Sequence, residues 1–157
     1  MPTLATIGYE GATVPKFLAA LTAARIELLV DVRALASSRR PGFAKTALTA
    51  NLKTVGIEYL HLRGLGTPAD GRAAARAGRH AEMHRIFRAH MRTEVAQGDL
   101  LVLEDVVQGG RRVCILCFEA DPAHCHRTLV AEALGARLPL EVRHLRPDPD
   151  DDDAGEE

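Results

Sequence analysis

Tryptophan is absent from this 157-residue chain, and aromatic residues make up only 4% of it. Its core must be assembled from Leu, Val, Ile and Ala, which suits helices laid over a sheet better than an aromatic-rich β-sandwich. No apolar run approaches the roughly 18 residues of a membrane span, and no basic-then-apolar segment opens the chain as a secretory signal would. These absences set the expectation of a cytoplasmic protein with no membrane partner. Cysteines number three, too few and odd in count for a disulfide framework. Only Lys16, Lys45 and Lys53 among the 20 basic residues are lysines. The rest are arginines, whose planar fork matches carboxylate and phosphate. Alanine is enriched alongside arginine, however, so coding bias is a second account of the general excess.

What is present is enough apolar sequence, 46%, for one real core. The formal net charge of −1 conceals an asymmetry. Residues 148–157 read DPDDDDAGEE and hold seven of the 21 acids, leaving 14 acids against 20 bases in residues 1–147, about +6. A like-charged run with Pro and Gly cannot bury apolar surface. Residues 1–147 are therefore expected to form a single domain, and 148–157 a disordered acidic tail. The tail would act either as a solubilising extension or as an acidic cover for the basic body.

Strand and helix patterns alternate along the body. Strands are predicted over residues 3–8, 27–33, 57–62, 112–118 and 140–145, from short apolar or β-branched runs bounded by turn residues. Helices are predicted over 14–25, 45–55, 80–97, 99–108 and 122–134, the last because Asp121 suits an N-cap and Pro122 a first helical position. Residues 63–78, with GLGTP and many small side chains, read as a long connection. Near-continuous apolar strands separated by helices predict an α/β fold, a three-layer, doubly wound and mostly parallel sheet of about five strands. A strand order of 3-2-1-4-5 is expected, since it places a topological reversal between the first and fourth strands.

Parallel strands all end on one sheet edge, and ligands bind in the crevice there. The first strand would deliver Gly8 and Tyr9 to that edge. The second would deliver Asp31 and Arg33, followed by Ser38 and Arg39; the third, His61 and Arg63; the fourth, Cys117 and Glu119. Asp31 interrupts LLVDV in a strand that should be buried, and a carboxylate there needs partners. A structural salt bridge and a catalytic acid are the two readings.

The stretch CFEADPAHCHR, residues 117–127, concentrates the most chemistry. Zinc is disfavoured on spacing: Cys114 and Cys117 point to opposite faces of a strand, and adjacent Cys125 and His126 seldom ligate one ion. No metal is therefore expected. A thioredoxin-like redox motif is also excluded, because Cys114–Cys117 lies inside the strand rather than at a helix start; a Cys117–Cys125 pair remains open. If the helix starts at Pro122, Cys125 falls in its first turn, where the helix dipole and Arg127 favour thiolate, with His124, His126 and Glu119 as candidate acid–base partners. Against this, the stripe Leu129, Val130, Ala133 and Leu134 traces back to Cys125 and His126, which would then simply pack on the sheet.

TIGYEG, LVDVR with SRRPGF, GIEYLHLRGLG and LCFEADPAHCHR, in that order, resemble the domain of unknown function 488 family over residues 6 to about 145. The resemblance implies a compact α/β domain of bacteria and archaea, and brings no reaction, cofactor or substrate. Its recurring positions fall here on Gly8, Tyr9, Asp31, Arg33, Ser38, Phe43, Gly56, Tyr59, Leu65, Gly66, Cys117, Glu119, Cys125, His126 and Arg127; Cys114 lies outside them.

The resulting expectation is an enzyme acting on an anionic, phosphate- or nucleotide-like ligand. Cys125, His126, Glu119 and Asp31 are the candidate catalytic residues. Gly8, Tyr9, Arg33, Ser38, Arg39, His61, Arg63, Cys117 and Arg127 are the candidate ligand-binding residues. The cofactor is left unspecified, and association with further copies of the chain is compatible with the composition. The rival expectation is a non-catalytic module that binds nucleic acid or protein through the basic body.

Overall fold

The first strand, β1 (Thr3–Gly8), is buried along all but its first residue. The computed structural model containing it describes residues 1–147, and the expected acidic tail lies outside the described residues. Helix α1 (Val14–Ala23) follows, capped by the Thr13 hydroxyl, which accepts from the Lys16 amide at 3.3 Å. Next come β2 (Leu28–Asp31), α2 (Lys45–Lys53) and β3 (Glu58–His61). The connection to the fourth strand carries three helices, α3 (Ala69–Arg76), α4 (His80–His90) and α5 (Glu94–Gln108). The chain then runs through β4 (Val113–Cys117), a 3-10 turn (Pro122–His124), α6 (Arg127–Gly135) and β5 (Glu141–Leu145).

Every strand pairing among the described residues is parallel, in the order β3-β2-β4-β1-β5. The α/β architecture expected from the sequence is thus present, with one difference in order: β4 enters between β2 and β1 instead of flanking β1 on its far side. Both strands are buried and mostly apolar at their centres, so hydrophobicity alone does not rank them. The partly polar β3 and β5 fall at the edges, as their exposure requires.

Alternating strand residues feed two cores. On one face Ala5, Ile7, Leu29, Cys114 and Leu116 pack against Phe17 and Leu21 of α1 and Leu48 and Leu52 of α2. On the other, Leu4, Leu28, Val30, Val113 and Ile115 pack against α3–α6, with Phe87 and Leu103 fully enclosed. Connections moving toward β3 use the first face and those moving toward β5 the second, as right-handed crossovers demand. No helix of the described residues is long and apolar enough to cross a membrane.

Two segments differ from their sequence-based expectation. Residues 63–78 contain α3 rather than an open connection, because the alanine-rich ADGRAAAR is a good helix former. The stretch 80–97 is two helices, because the Thr93 hydroxyl accepts from the Ala96 amide and restarts the helix at Glu94.

The carboxyl edge is held by the carboxylate of Asp31, which is wholly buried. It accepts from the Arg33 backbone amide at 3.0 Å and from the Arg33 side chain, with Nε at 2.9 Å from Oδ1 and Nη2 at 2.7 Å from Oδ2. The Tyr59 hydroxyl donates to Oδ2 at 2.6 Å. Arg33 Nη1 continues to the Tyr9 hydroxyl at 3.2 Å and the Phe43 carbonyl at 2.9 Å, and the Tyr9 ring stacks on Phe43 at 4.6 Å. Burial works against the Arg33 cation, yet Asp31 and then Tyr9 outweigh it and push its pKa upward. Burial and then Asp31 likewise raise the Tyr59 hydroxyl. Of the two readings of Asp31, the geometry is that of the salt bridge. Removing the cation would strand a buried charge, so Arg33→Met is expected to destabilise the fold by about 3–5 kcal/mol in urea titration.

Candidate functional site

The reversal in chain direction at β4 opens a cleft at the carboxyl edge. The exits of β1 and β2 turn to one face of the sheet while that of β4 turns to the other. The cleft has a volume of about 500 Å³. Tyr9 and Glu10 line it from β1, Arg33 to Leu35 from β2, and Cys117 to Glu119 with His124 and His126 from β4 and its loop. The opposite wall is made by Thr67, Arg72, Ala75 and Arg76 around α3 and by His80 and Met83 of α4.

The loop after β4 fixes which cysteine faces that space. The Asp121 carboxylate accepts from the Ala123 amide at 2.9 Å and caps the 3-10 turn at Pro122–His124. The turn does not continue into α6. Cys125 is extended (φ −126, ψ 146), His126 precedes the first helical residue, and α6 begins at Arg127. Cys125 is therefore not in the first turn of a helix starting at Pro122, and the dipole argument for its thiolate does not hold. Its thiol is 1% exposed within the core and is not a cleft residue. Burial, followed by contact with Cys117, raises its pKa well above the ordinary thiol value.

Cys117, at the tip of β4, lines the cleft. Its Sγ lies 3.3 Å from His126 Nδ1 and 3.7 Å from Glu119 Oε1. The other ring nitrogen of His126, Nε2, lies 2.7 Å from the Val32 carbonyl. A carbonyl only accepts, so Nε2 carries the hydrogen and Nδ1 of the neutral ring presents its lone pair to Cys117. Burial opposes the imidazolium, but Cys125, the Val32 carbonyl and the charge of Glu119 together raise the His126 pKa. A thiol, a base in contact with it, and a third group orienting that base are the parts of an activated nucleophile.

The arginines expected to grip an anion are otherwise engaged. Arg127 is fully buried and donates to Thr6 Oγ1 at 3.1 Å, to the Glu119 carbonyl and to Ala120 O at 3.2 Å. Arg33 lines the cleft but is bonded to Asp31, Tyr9 and Phe43. Arg39 and Arg63 are exposed but outside the cleft lining. The Ser38 hydroxyl accepts from the Arg40 amide at 3.1 Å, and His61 Nε2 meets the Arg33 carbonyl at 2.7 Å, so both brace the loop after β2.

Of the basic groups that do line the cleft, His124 was weighed as an acid–base partner from sequence, whereas Arg72, Arg76 and His80 were not singled out. Arg72 Nη1 donates to the Thr67 carbonyl at 2.8 Å. His80 and His124 stack with parallel rings 4.2 Å apart. The available signal was the four-residue spacing of Arg72 and Arg76 in a helix-forming run.

The expectation of no metal rests on a spacing argument that overlooks one grouping among the described residues. Cys117, Cys125 and His126 bring their ligand atoms within 4.8 Å of one another. The sequence argument holds for Cys114, which is in the opposite core. It fails for the adjacent pair because the extended backbone at Cys125 and the helical backbone at His126 (φ −70, ψ −13) turn both side chains inward.

The family model for the domain of unknown function DUF488 matches residues 13–134. The chain belongs to the DUF488 family. That match includes Asp31, Arg33, Phe43 and Tyr59 and the whole Cys117–Arg127 loop of this DUF488 protein, though not its TIGYEG stretch, which carries Tyr9. No curated protein and no solved structure matches the chain.

Gly8 serves the DUF488 cleft by lacking a side chain: a Cβ there would lie 1.8 Å from the Glu119 carbonyl oxygen and 2.8 Å from Arg127 Nη1. Gly8→Ala is expected to push the loop away from β1 and to cost at least about 2 kcal/mol by thermal or urea unfolding. An unchanged transition would remove this close approach from the account.

Proposed function

We propose that this protein is a small cytoplasmic thiol enzyme acting on an anionic small molecule. Cys117 is the nucleophile in this reading, and His126 is the base that takes its proton. The 3.3 Å contact between Cys117 Sγ and His126 Nδ1, with the imidazole oriented by the Val32 carbonyl, carries the reading. The Glu119 carboxylate stands beside the pair and favours the imidazolium that proton transfer creates. Cys125 is the buried neighbour on which the pair is packed.

The anionic part of the substrate is held by the far wall. Arg76 is exposed at the rim, Arg72 and His80 complete a basic surface facing Cys117 across the cleft, and His124 of the β4 loop joins it by stacking on His80. Glu10 and Glu119 are the acids on its lining, while the charge of Arg33 is balanced by Asp31. A ligand with an anionic group at this wall would place an electrophilic centre near Sγ.

Alkylation of the chelator-treated protein by iodoacetamide, followed by peptide mass mapping, tests this. Cys117 is expected to label well before Cys114 and Cys125 in the folded state. His126→Gln should slow that labelling by about 100-fold. Inorganic pyrophosphate should protect Cys117, and Arg76→Ala should weaken the protection. Labelling that starts at Cys125, or that is indifferent to His126→Gln, overturns the assignment.

The rival reading, a nucleic-acid-binding module, draws on the exposed Arg39 and Arg63 outside the cleft. Salt-dependent binding of an RNA or DNA oligonucleotide, together with slow Cys117 labelling, would favour it.

A further inference from the structure

We propose that Cys117, Cys125 and His126 form a zinc(II) site, a second state of the cleft in which Cys117 is a metal ligand instead of a nucleophile. The inference goes beyond the thiol-enzyme reading and stands without it, since chelation needs only the three donors and their spacing.

The donor set comes first. Two thiols and one imidazole within 4.8 Å of one another are the Cys2His set that binds zinc with three protein ligands and leaves a fourth position open. Sulfur donors select zinc over magnesium or calcium, which take oxygen. The spacing is right as well. With Zn–S near 2.3 Å and Zn–N near 2.0–2.1 Å, a tetrahedron has an S···N edge of about 3.5 Å, and Cys117 Sγ lies 3.3 Å from His126 Nδ1.

The imidazole is also prepared as ligating histidines are. Its Nε2–H is held by the Val32 carbonyl at 2.7 Å, which fixes the tautomer and points Nδ1 at the two sulfurs. The Phe87 ring, 5.1 Å from the imidazole, walls the inner side. Cys117 and His126 line the cleft while Cys125 does not. The fourth position therefore opens toward the cleft, near Glu119 and solvent. Binding would release the two thiol protons to water, and the two thiolates would balance the dication in a buried setting.

The donors sit on parts that cannot easily drift. Cys117 ends the central strand, and the loop that brings back Cys125 and His126 is tied by Arg127 to the carbonyls of Glu119 and Ala120. Thr128 Oγ1 adds a bond to the Pro122 carbonyl at 2.7 Å across the break before α6.

Cobalt(II) is the probe. The full-length protein, reduced and stripped with chelator, is titrated with cobalt(II) and then zinc(II). The expected result is about one equivalent of cobalt bound, with a thiolate-to-cobalt absorption band and the intense visible bands of a tetrahedral ion, both bleached by zinc. Zinc at saturating concentration should also suppress Cys117 alkylation. Cys125→Ser is expected to weaken binding by more than about 100-fold, more than is usual for loss of an outer partner alone. Cys117→Ser, on the cleft wall, should do the same and serves if Cys125→Ser does not fold. Cys114→Ser, on the opposite face of the strand, should leave the titration unchanged.

Absence of a thiolate–cobalt band, its persistence in both Cys125→Ser and Cys117→Ser, or its loss in Cys114→Ser overturns the site. Isolation of a Cys117–Cys125 disulfide in place of cobalt binding would also overturn it. Fast, His126-dependent labelling of Cys117 with no cobalt band would sink the metal site and keep the thiol enzyme. The reverse pattern would sink the enzyme and keep the metal.

Discussion

A carboxylate sealed at the end of a central strand has to be answered by the groups around it, and the answer to Asp31 organises this whole edge of the molecule. Its partners come from two places: Arg33 from just beyond its own strand and Tyr59 from the neighbouring β3. Arg33 then extends the tie to Tyr9 after β1 and to the backbone at Phe43. Bonds to a buried ion are stronger than neutral ones, and each is costly to leave unmade. The strand tips are thereby held at a fixed separation, and the space between the β2 and β4 exits keeps its shape.

A second anchor works on the other side of that space. Arg127 reaches from the start of α6 to Thr6 of β1 and to the backbone of the loop after β4. Thr6 in turn meets His144 of β5 at 2.6 Å. Burial and then the charge of Arg127 hold the His144 pKa below the usual imidazole range, so the ring remains a neutral partner. Gly8 lets the loop close onto β1. The two arginines with the fewest contacts to solvent therefore hold this edge together, and the basic side chains left facing the cleft are those of α3, α4 and His124.

Much of this was legible in the chain. Apolar runs alternating with helical spacing gave the parallel α/β fold, and parallel strands put Tyr9, Arg33, Cys117 and Glu119 on one edge. Asp31 was recognisable as a buried acid that had to be paired. Three things were hidden for physical reasons. The positions of β1 and β4 could not be ranked, because both are apolar enough for the centre. α3 was masked by its small side chains, which look like linker until alanine's helix propensity is counted, and Arg72 and Arg76 were lost with it. Pro122 after a capping Asp has the marks of a helix start, yet the turn it opens closes within three residues. That break decides which cysteine faces the cleft: Cys125, in extended backbone, is held in the core, and Cys117 lines the open space.

The two walls of the cleft come from distant parts of the chain and rest on different foundations. The side that carries Cys117 and His126 is embedded in the sheet and bolted by buried ions. The basic side is carried by a pair of short helices inserted between β3 and α5. Such an arrangement behaves like a fixed tool with an interchangeable jaw: substitutions along α3 and the start of α4 can alter which molecules are admitted while the sulfur and its imidazole stay in register.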